Sequence, residues 1–140
     1  MRVVALCLAL AACTNTPLPV ATETVCPTPD PNTLTYENFG QPFMTNYCTH
    51  CHASALARRD RNGAPLYHDY DSLRGVLQIP DHIDSYAGAG PAAQNSVMPP
   101  ERCPSTPGGA LDRDCPKPSE AERTNLSLWI ACEVLRPHTF

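Results

Sequence analysis

The chain has 140 residues, with ten Lys and Arg against fourteen Asp and Glu, a net charge of −4, and sixteen prolines. This length suits one domain, and because no basic stripe is present, the sequence excludes nucleic-acid binding as a function. Proline cannot donate a hydrogen bond within a sheet, so its abundance predicts few strands and long ordered coil.

Residues 1–12 have the pattern of a secretory signal, because Arg2 precedes an apolar run that is too short to span a bilayer. Leu10-Ala11-Ala12-Cys13 resembles the lipobox of bacterial lipoproteins, which implies that Cys13 is lipidated and becomes the first mature residue. Thr14 at the next position resembles lipoproteins of the outer membrane. The alternative is an ordinary cleaved signal with an incidental Cys13. Both interpretations predict export, and the only membrane contact expected is an N-terminal lipid anchor.

Residues 13–34 are rich in proline and have no hydrophobic period, which predicts a tether. The domain is therefore expected to cover residues 35–140. Four apolar side chains at helical spacing predict the buried face of a short helix: Phe39, Phe43, Met44 and Tyr47. Proline is best tolerated in a first helical turn, so Pro42 predicts that the regular helix starts near Gln41.

Cys48-Thr49-His50-Cys51-His52 is the most specific motif of the chain. Two cysteines separated by two residues and followed at once by a histidine are typical of a c-type haem attachment site. Each thiol can bond to a vinyl group of one porphyrin, and His52 is placed to ligate the iron. A zinc site usually needs four ligands, which here would include scattered residues such as His68 or His82. A thioredoxin-like dithiol would need a βαβ context, and no strand-length run precedes Cys48.

Beyond the motif, the sequence predicts short helices separated by loops. Residues 53–59 are expected to add one helical turn before Asn62-Gly63 ends it. Asp71 is the expected N-cap of a second helix, whose apolar residues are Leu73, Val76 and Leu77. A further helix is expected to cover part of residues 81–86.

The last helix has the clearest signals. Ser119 and Glu122 have the spacing of a capping box, directly after Pro118. The apolar face that follows consists of Leu126, Trp129, Ile130 and Val134. Pro137 is expected to stop the helix.

A haem iron held by His52 has a second axial position, and Met98 is the best candidate for it. A thioether is a soft, neutral ligand that favours ferrous iron, and Pro99 and Pro100 stiffen the loop that follows. Met44 lies too close to the haem motif to reach the opposite face. A methionine that only fills a gap in the core is the alternative. The rival ligands are interpreted as surface histidines: His68, His82 and His138.

The cysteines fall into groups. Cys7 leaves with the signal, Cys13 is assigned to lipid, and the motif cysteines are assigned to haem. Four cysteines remain, and an even remainder in an exported chain predicts two disulfides with three possible connectivities. We favour one pair that closes a short Pro/Gly-rich loop and one that ties the start of the domain to its last helix: Cys103–Cys115 and Cys26–Cys132. The alternative is four free thiols.

The haem motif, Met98-Pro99-Pro100 and the flanking helices together resemble the class I, single-haem c-type cytochromes over Thr35 to Leu135. The resemblance implies a small all-α cytochrome c fold, with three to five short helices and long loops wrapped round one covalent haem c. It implies that Cys48 and Cys51 attach the haem and that His52 and Met98 are the axial iron ligands. It also implies one-electron transfer without enzymatic catalysis.

Several single positions also match the family. Gly40 stands where the family keeps a glycine for close contact with the last helix, and Leu126 and Trp129 match the leucine and the aromatic residue of that helix. Met44 stands where the family usually has an aromatic residue. Phe43, next to it, is expected to substitute.

The segment 101–117 is longer than the link that usually joins the methionine to the last helix in this family. If Cys103–Cys115 forms, this segment is expected to shield or reshape the haem surface near Met98.

Three arginines follow the haem motif: Arg58, Arg59 and Arg61. They could steer an acidic partner toward the haem edge, but a solvated helix end is the preferred interpretation.

The sequence thus predicts a lipid-anchored electron carrier of the bacterial periplasm, which is a monomer or a subunit of a redox complex and exchanges electrons with protein partners. A haem-based sensor is an alternative that needs a sixth ligand able to leave the iron. An enzyme such as a small peroxidase would need an open iron site, and the second haem motif of two-haem peroxidases is absent from the sequence. A haem subunit of a larger oxidoreductase is the remaining alternative.

Overall fold

The structure is a computed structural model that describes residues 18–30 and 33–135. In chain order its elements are a π-helical turn Tyr36–Gly40, helix α1 Gln41–Tyr47, a 3₁₀ turn Arg58–Asp60, α2 Leu73–Gln78, α3 Pro80–Ala87, strands β1 Cys103–Pro104 and β2 Leu111–Asp112, α4 Glu120–Trp129 and a π-helical turn Ile130–Val134. The two short strands pair antiparallel, with Cys103 opposite Asp112. The described chain is small and mostly helical, which agrees with the predicted class at that level.

Some predicted features lie outside the described residues: the signal peptide 1–12, Cys13, Pro137 and His138. Within the described part of the chain, no helix combines the length and the apolar character needed to cross a bilayer. The lipid anchor on Cys13 stays a prediction.

Helix α1 begins where Pro42 predicts. Pro42 lies in the first turn of α1, where its missing N–H would have no intrahelical partner. The π-helical turn before α1 has a capping box: Thr35 Oγ1 accepts a hydrogen bond from Asn38 N–H at 3.2 Å, and Asn38 Oδ1 accepts one from Thr35 N–H at 2.7 Å. Phe43 and Met44 on the inner face of α1 are buried.

Helix α4 begins with the predicted capping box. Ser119 Oγ accepts a hydrogen bond from Glu122 N–H at 3.2 Å, and the Glu122 carboxylate accepts one from Ser119 N–H at 2.8 Å. The predicted apolar face is buried: Leu126, Trp129, Ile130 and Val134. The Trp129 ring lies 6.1 Å from the ring of Phe39. Phe39 and Tyr36 therefore make the aromatic contacts to Trp129, while Phe43 packs on Phe39 and Tyr47.

Gly40 permits the close approach of the first and last helices. A Cβ placed on Gly40 would lie 2.4 Å from Cζ2 and 2.6 Å from Cη2 of Trp129. Trp129 is fully buried, so its ring has no open space to move into. The expected contact between Gly40 and the last helix is confirmed.

Part of the predicted tether packs against the helices. Thr22 is only 1% exposed, and its N–H and hydroxyl donate to the two carboxylate oxygens of Asp84 in α3 at 2.9 and 2.8 Å. The Asn95 side-chain amide donates to Val20 O at 2.7 Å. The prediction of a tether does not hold for residues 20–26, because long-range hydrogen bonds secure a segment that has no hydrophobic period.

Both favoured disulfides are present in the structure. Cys26–Cys132 joins residues 106 positions apart, and Cys103–Cys115 joins residues 12 positions apart. The first bond connects the N-terminal segment to the π-helical turn after α4. Among the described residues, the free cysteines are Cys48 and Cys51.

Helix α2 differs from the prediction at its start. Its N-cap is Ser72, whose Oγ accepts a hydrogen bond from Gly75 N–H at 3.2 Å. Asp71 was expected in that role but instead accepts hydrogen bonds from the N–H and the hydroxyl of Ser54 at 3.0 and 2.7 Å. Two neighbouring residues could each have capped the helix, and the long-range pairing with Ser54 decides between them.

The other predicted helical segments are present with adjusted bounds. The turn expected within residues 53–59 is the 3₁₀ turn Arg58–Asp60, and α3 covers Pro80–Ala87, one residue more at each end than the expected 81–86. Asn62 (φ 50°) and Gly63 (φ 89°) adopt left-handed backbone conformations, which ends the helical course as predicted.

We expect Gly40→Ala to destabilise the protein by about 1–3 kcal/mol, because the new methyl group would overlap a buried indole ring. Helix propensity alone would predict that Gly40→Ala stabilises the protein, since alanine has a higher helix propensity than glycine. The free energy of unfolding in urea measures the effect. Trp129→Phe removes the overlapping ring atoms, so the added cost of Gly40→Ala should shrink in that background. A stabilising Gly40→Ala would contradict the packing argument.

We expect Thr22→Val to lower the free energy of unfolding by about 1.5–3 kcal/mol, because a buried hydroxyl that donates to a carboxylate is replaced by a methyl group of similar size. Thr45→Val is the matched control, since Thr45 is exposed on α1. Equal effects of the two substitutions would show that the N-terminal segment adds no stability to the helices.

Candidate functional site

The Cys48–His52 motif forms the turn that ends α1. Cys48 N–H donates to Met44 O at 2.9 Å, and the N–H groups of Cys51 and His52 donate back to Cys48 O at 3.1 and 2.9 Å. This compact turn places both free thiols and the His52 imidazole on the wall of one cavity.

The cavity has a volume of about 400 Å³, within the range of about 300–1,000 Å³ for small-molecule and cofactor pockets. Its apolar and aromatic walls come from Phe43, Tyr47, Tyr70, Ile83, Tyr86, Ala87 and the prolines at positions 65, 99, 100 and 104. Such a lining suits a large, flat, apolar group that binds with little water around it.

The His52 ring is held by one hydrogen bond and by stacking, most closely on Tyr70. Its Nδ1 lies 3.0 Å from His68 O, and because a carbonyl can only accept, Nδ1 carries the proton. Tyr70 stacks on the ring with centroids 4.7 Å apart. Burial lowers the pKa of His52 to about 4, so the imidazole is neutral at physiological pH. His52 Nε2 is therefore left as a lone-pair donor, as a metal-ligating histidine requires.

Met98 lies on the same cavity as His52, as the prediction requires of an iron ligand. The residue is 37% exposed, while its backbone is held by hydrogen bonds on both sides. Met98 N–H donates to Tyr86 O at 2.9 Å, and Met98 O accepts from Arg123 Nη1 at 2.8 Å.

Arg123 was not identified from the sequence. It is buried on α4 and donates from Nη1 to Ala87 O at 2.8 Å and Asn95 O at 3.0 Å as well as to Met98 O. The guanidinium thereby joins the end of α3, the loop before Met98 and α4. Burial lowers the pKa of Arg123, partly offset by Cys48. A single arginine in an amphipathic helix carries no sequence signal for this role.

His68 and His82 lie on the cavity wall, so their interpretation as surface histidines was incomplete. The ring of His68 is 6.2 Å from that of His52 and 5.6 Å from that of His82. His82 is solvent-exposed as a residue, whereas His68 is half-buried. Proximity to His52 comes from the fold of the 61–69 loop, which the sequence pattern does not specify.

Arg61 corrects the interpretation of the arginine cluster as a solvated helix end. Arg58 and Arg59 are exposed, but Arg61 is 1% exposed and its Nη1 lies 2.7 Å from Asp69 Oδ1. The two exposed arginines therefore form a smaller basic surface than the sequence indicated.

The 101–117 segment contributes directly to the cavity. Cys103 and Pro104 line its wall, and Lys117 Nζ contacts the two sulfurs of the Cys103–Cys115 disulfide at 3.0 and 2.9 Å. Lys117 also donates to Pro100 O. The disulfide, Lys117 and the loop after Met98 thus form one packed unit at the cavity.

The alternative interpretations of the motif find little support in this geometry. In the described residues, one group of three close metal-ligating side chains occurs, Cys26, Asp30 and Cys132, and its two cysteines are bonded to each other. The motif residues therefore do not gather with His68 or His82 into a zinc site. The described strands are two residues long, so the βαβ unit of a dithiol oxidoreductase is absent from that part of the chain.

We expect the Cys48 thiol of the polypeptide to react slowly with iodoacetamide, because desolvation raises its pKa to about 12. At pH 9 its thiolate fraction should be at least about a hundredfold below that of an unfolded cysteine, whose pKa is about 8.5. Mass spectrometry of the labelled peptides measures the rate at each cysteine.

The urea-unfolded protein is the control for Cys48 alkylation, since unfolding removes the burial. Equal rates in the folded and unfolded protein would contradict the raised pKa of Cys48.

Comparison with protein-family models, with curated proteins and with solved structures finds no match to this chain.

Proposed function

We propose that this chain is a single-haem c-type cytochrome that carries one electron at a time between protein partners in the bacterial periplasm. The observation that carries the proposal is the composition of one cavity wall. Two free thiols, a neutral imidazole with Nδ1 already hydrogen-bonded, and a thioether line the same apolar space. The other four cysteines of the described residues are in disulfides.

The two thiols would attach the cofactor. Cys48 and Cys51 lie on one turn, so each can add across a vinyl group of one porphyrin, with the new S–C bond at one vinyl carbon and the hydrogen at the other. Covalent attachment suits a cavity that opens to solvent, because the cofactor cannot dissociate. When bound, the haem iron supplies the one-electron redox chemistry.

His52 and Met98 would occupy the two axial positions. His52 offers Nε2, because Nδ1 donates to His68 O, and this hydrogen bond keeps the ring in one orientation. Met98 offers a soft sulfur that favours the ferrous state. If His52 and Met98 both held the iron, no coordination site would be left for a substrate, as expected of a carrier rather than an enzyme.

The surrounding side chains would keep the ligands in place as the charge of the site changes. Arg123 joins the Met98 carbonyl to those of Ala87 and Asn95, and Lys117 links Pro100 to the neighbouring disulfide. A site held from several elements reorganises little, and low reorganisation favours fast electron transfer.

The location is part of the same proposal. Residues 1–12 would direct export, and lipid on Cys13 would anchor the mature chain to a membrane, with the outer membrane favoured by Thr14. Two disulfides suit an oxidising compartment. The carrier would act as a monomer or as a subunit of a redox complex.

The test is expression in cells that attach haem c, followed by visible spectra of the oxidised and reduced mature protein before and after extraction with acidic acetone. We expect haem to stay with the polypeptide, with sharp low-spin reduced bands and the weak methionine–iron band when oxidised. Cys48→Ser with Cys51→Ser should release all haem on extraction.

Met98→Ala should keep covalent haem and lose the methionine–iron band. Met44→Leu is the matched control, because Met44 is buried in the core and lies four residues before the motif; this variant should keep the band. A methionine–iron band retained in Met98→Ala, or lost only in Met44→Leu, would contradict Met98 as the ligand. A wild-type protein without covalent haem would contradict the proposed function itself.

A haem-based sensor is the second candidate, and the 37% exposure of Met98 favours it. A sensor needs a sixth ligand that leaves the iron for a gas molecule. Rapid binding of CO to the ferrous wild-type protein at neutral pH would support the sensor, and slow or absent binding would support the carrier.

A further inference from the structure

We infer that Arg61 is a positioning residue for His52, which it controls through the carbonyl group of His68. The inference rests on the proposed function, because its consequence concerns the iron ligand. It assigns a role to a buried arginine that the haem motif does not include.

The guanidinium of Arg61 uses all of its hydrogen-bonding capacity inside the protein. An arginine side chain has five N–H donors, and each of them has an acceptor here. The acceptors are the carbonyl oxygens of Ala53, Ala64, Pro65 and His68 at 2.8, 3.4, 2.8 and 3.0 Å and Asp69 Oδ1 at 2.7 Å. Arg61 is therefore a structural centre of this loop and has no donor left for a ligand.

One of these acceptors is shared with His52. His68 O accepts from Arg61 Nη2 at 3.0 Å and from His52 Nδ1 at 3.0 Å. The carbonyl oxygen has two lone pairs, and both are used. Arg61 thus fixes the direction of the oxygen that fixes the imidazole, which makes it an outer partner of the proposed iron ligand.

The loop between Arg61 and Asp69 has backbone conformations that need the hydrogen bonds from Arg61. Asn62, Gly63 and Tyr67 have φ angles of 50°, 89° and 74°, and the left-handed conformation of a tyrosine costs roughly 1–2 kcal/mol. Tyr67 is 80% exposed, so its own packing does not offset that cost. The bonds from Arg61 to the carbonyls of Pro65 and His68, on either side of Tyr67, hold the backbone in this course.

The charge of Arg61 is balanced by Asp69. The Arg61 side chain is 2% exposed and that of Asp69 is 30% exposed, with the closest N–O distance 2.7 Å. Removing the guanidinium alone would leave a carboxylate without its partner near the haem cavity. A nearby negative charge stabilises ferric over ferrous iron, so charge and geometry can be tested separately.

The experiment uses the haem-bearing mature protein with Arg61→Gln and Arg61→Lys, and Arg59→Gln as control because the Arg59 side chain is 87% exposed. The readouts are the reduction potential and the solvent-exchange rate of the His52 Nδ1 proton, measured by NMR in the reduced state. We expect both Arg61 variants to accelerate the exchange at least about tenfold, because neither can bridge the loop carbonyls.

The two Arg61 variants should differ in potential. Arg61→Gln should lower the ratio of reduced to oxidised protein about tenfold at fixed ambient potential, equivalent to about 59 mV for one electron. Arg61→Lys keeps the charge and should stay near wild type. Asp69→Asn keeps all four carbonyl contacts, so it should raise the potential and leave the exchange rate unchanged.

Exchange of the Nδ1 proton in Arg61→Lys within about twofold of wild type would overturn the inference while leaving the proposed function intact. If neither Arg61 variant accumulates, the exchange rate of the His52 Nδ1 proton in the wild-type protein is the test. Slow exchange supports the inference, and exchange too fast to follow overturns it. A wild-type chain without covalent haem would overturn both.

Discussion

The packing of Gly40 against Trp129 is the constraint on which the geometry of the cavity depends. Helix α1 ends in the turn that carries the two free thiols and His52, and α4 carries Arg123, which holds the Met98 backbone. The π-helical turn that leads into α1 approaches α4 as closely as the indole ring allows. One contact between a glycine and an aromatic ring therefore sets the relative positions of both proposed iron ligands.

Buried arginines compensate for a chain that is short of backbone donors. Each of the sixteen prolines removes an N–H group and keeps a carbonyl, and an unpaired buried carbonyl is costly. The side chains of Arg61 and Arg123 donate to four and three carbonyls, and the Asn95 amide donates to two. These side chains perform the pairing that sheets perform in other folds, so a loop-rich domain can still be dense.

The features that could be predicted from the sequence are those set by neighbouring residues or by the number of cysteines. The Ser119 capping box and the start of α1 near Pro42 follow from local spacing. The parity of the cysteines predicts two disulfides but leaves three connectivities open, and the structure contains the favoured one. The roles of Arg61 and Thr22 depend on partners brought together by the fold; Thr22 and Asp84 are 62 positions apart. A buried arginine and a surface arginine have the same sequence signature, because the difference lies in the acceptors around them.

Because Thr22 is packed against the helices, the segment between the proposed lipid anchor on Cys13 and the folded domain is shorter than the predicted tether. Nine residue steps separate Cys13 from Thr22, a maximum reach of about 30 Å, whereas a chain free as far as Thr35 would reach about 75 Å. The volume that the domain can sweep around its anchor is then smaller by roughly tenfold or more, and the effective concentration of a partner in the same membrane rises accordingly. If the proposed carrier is anchored in this way, it would exchange electrons with immediate neighbours in the membrane rather than with distant ones.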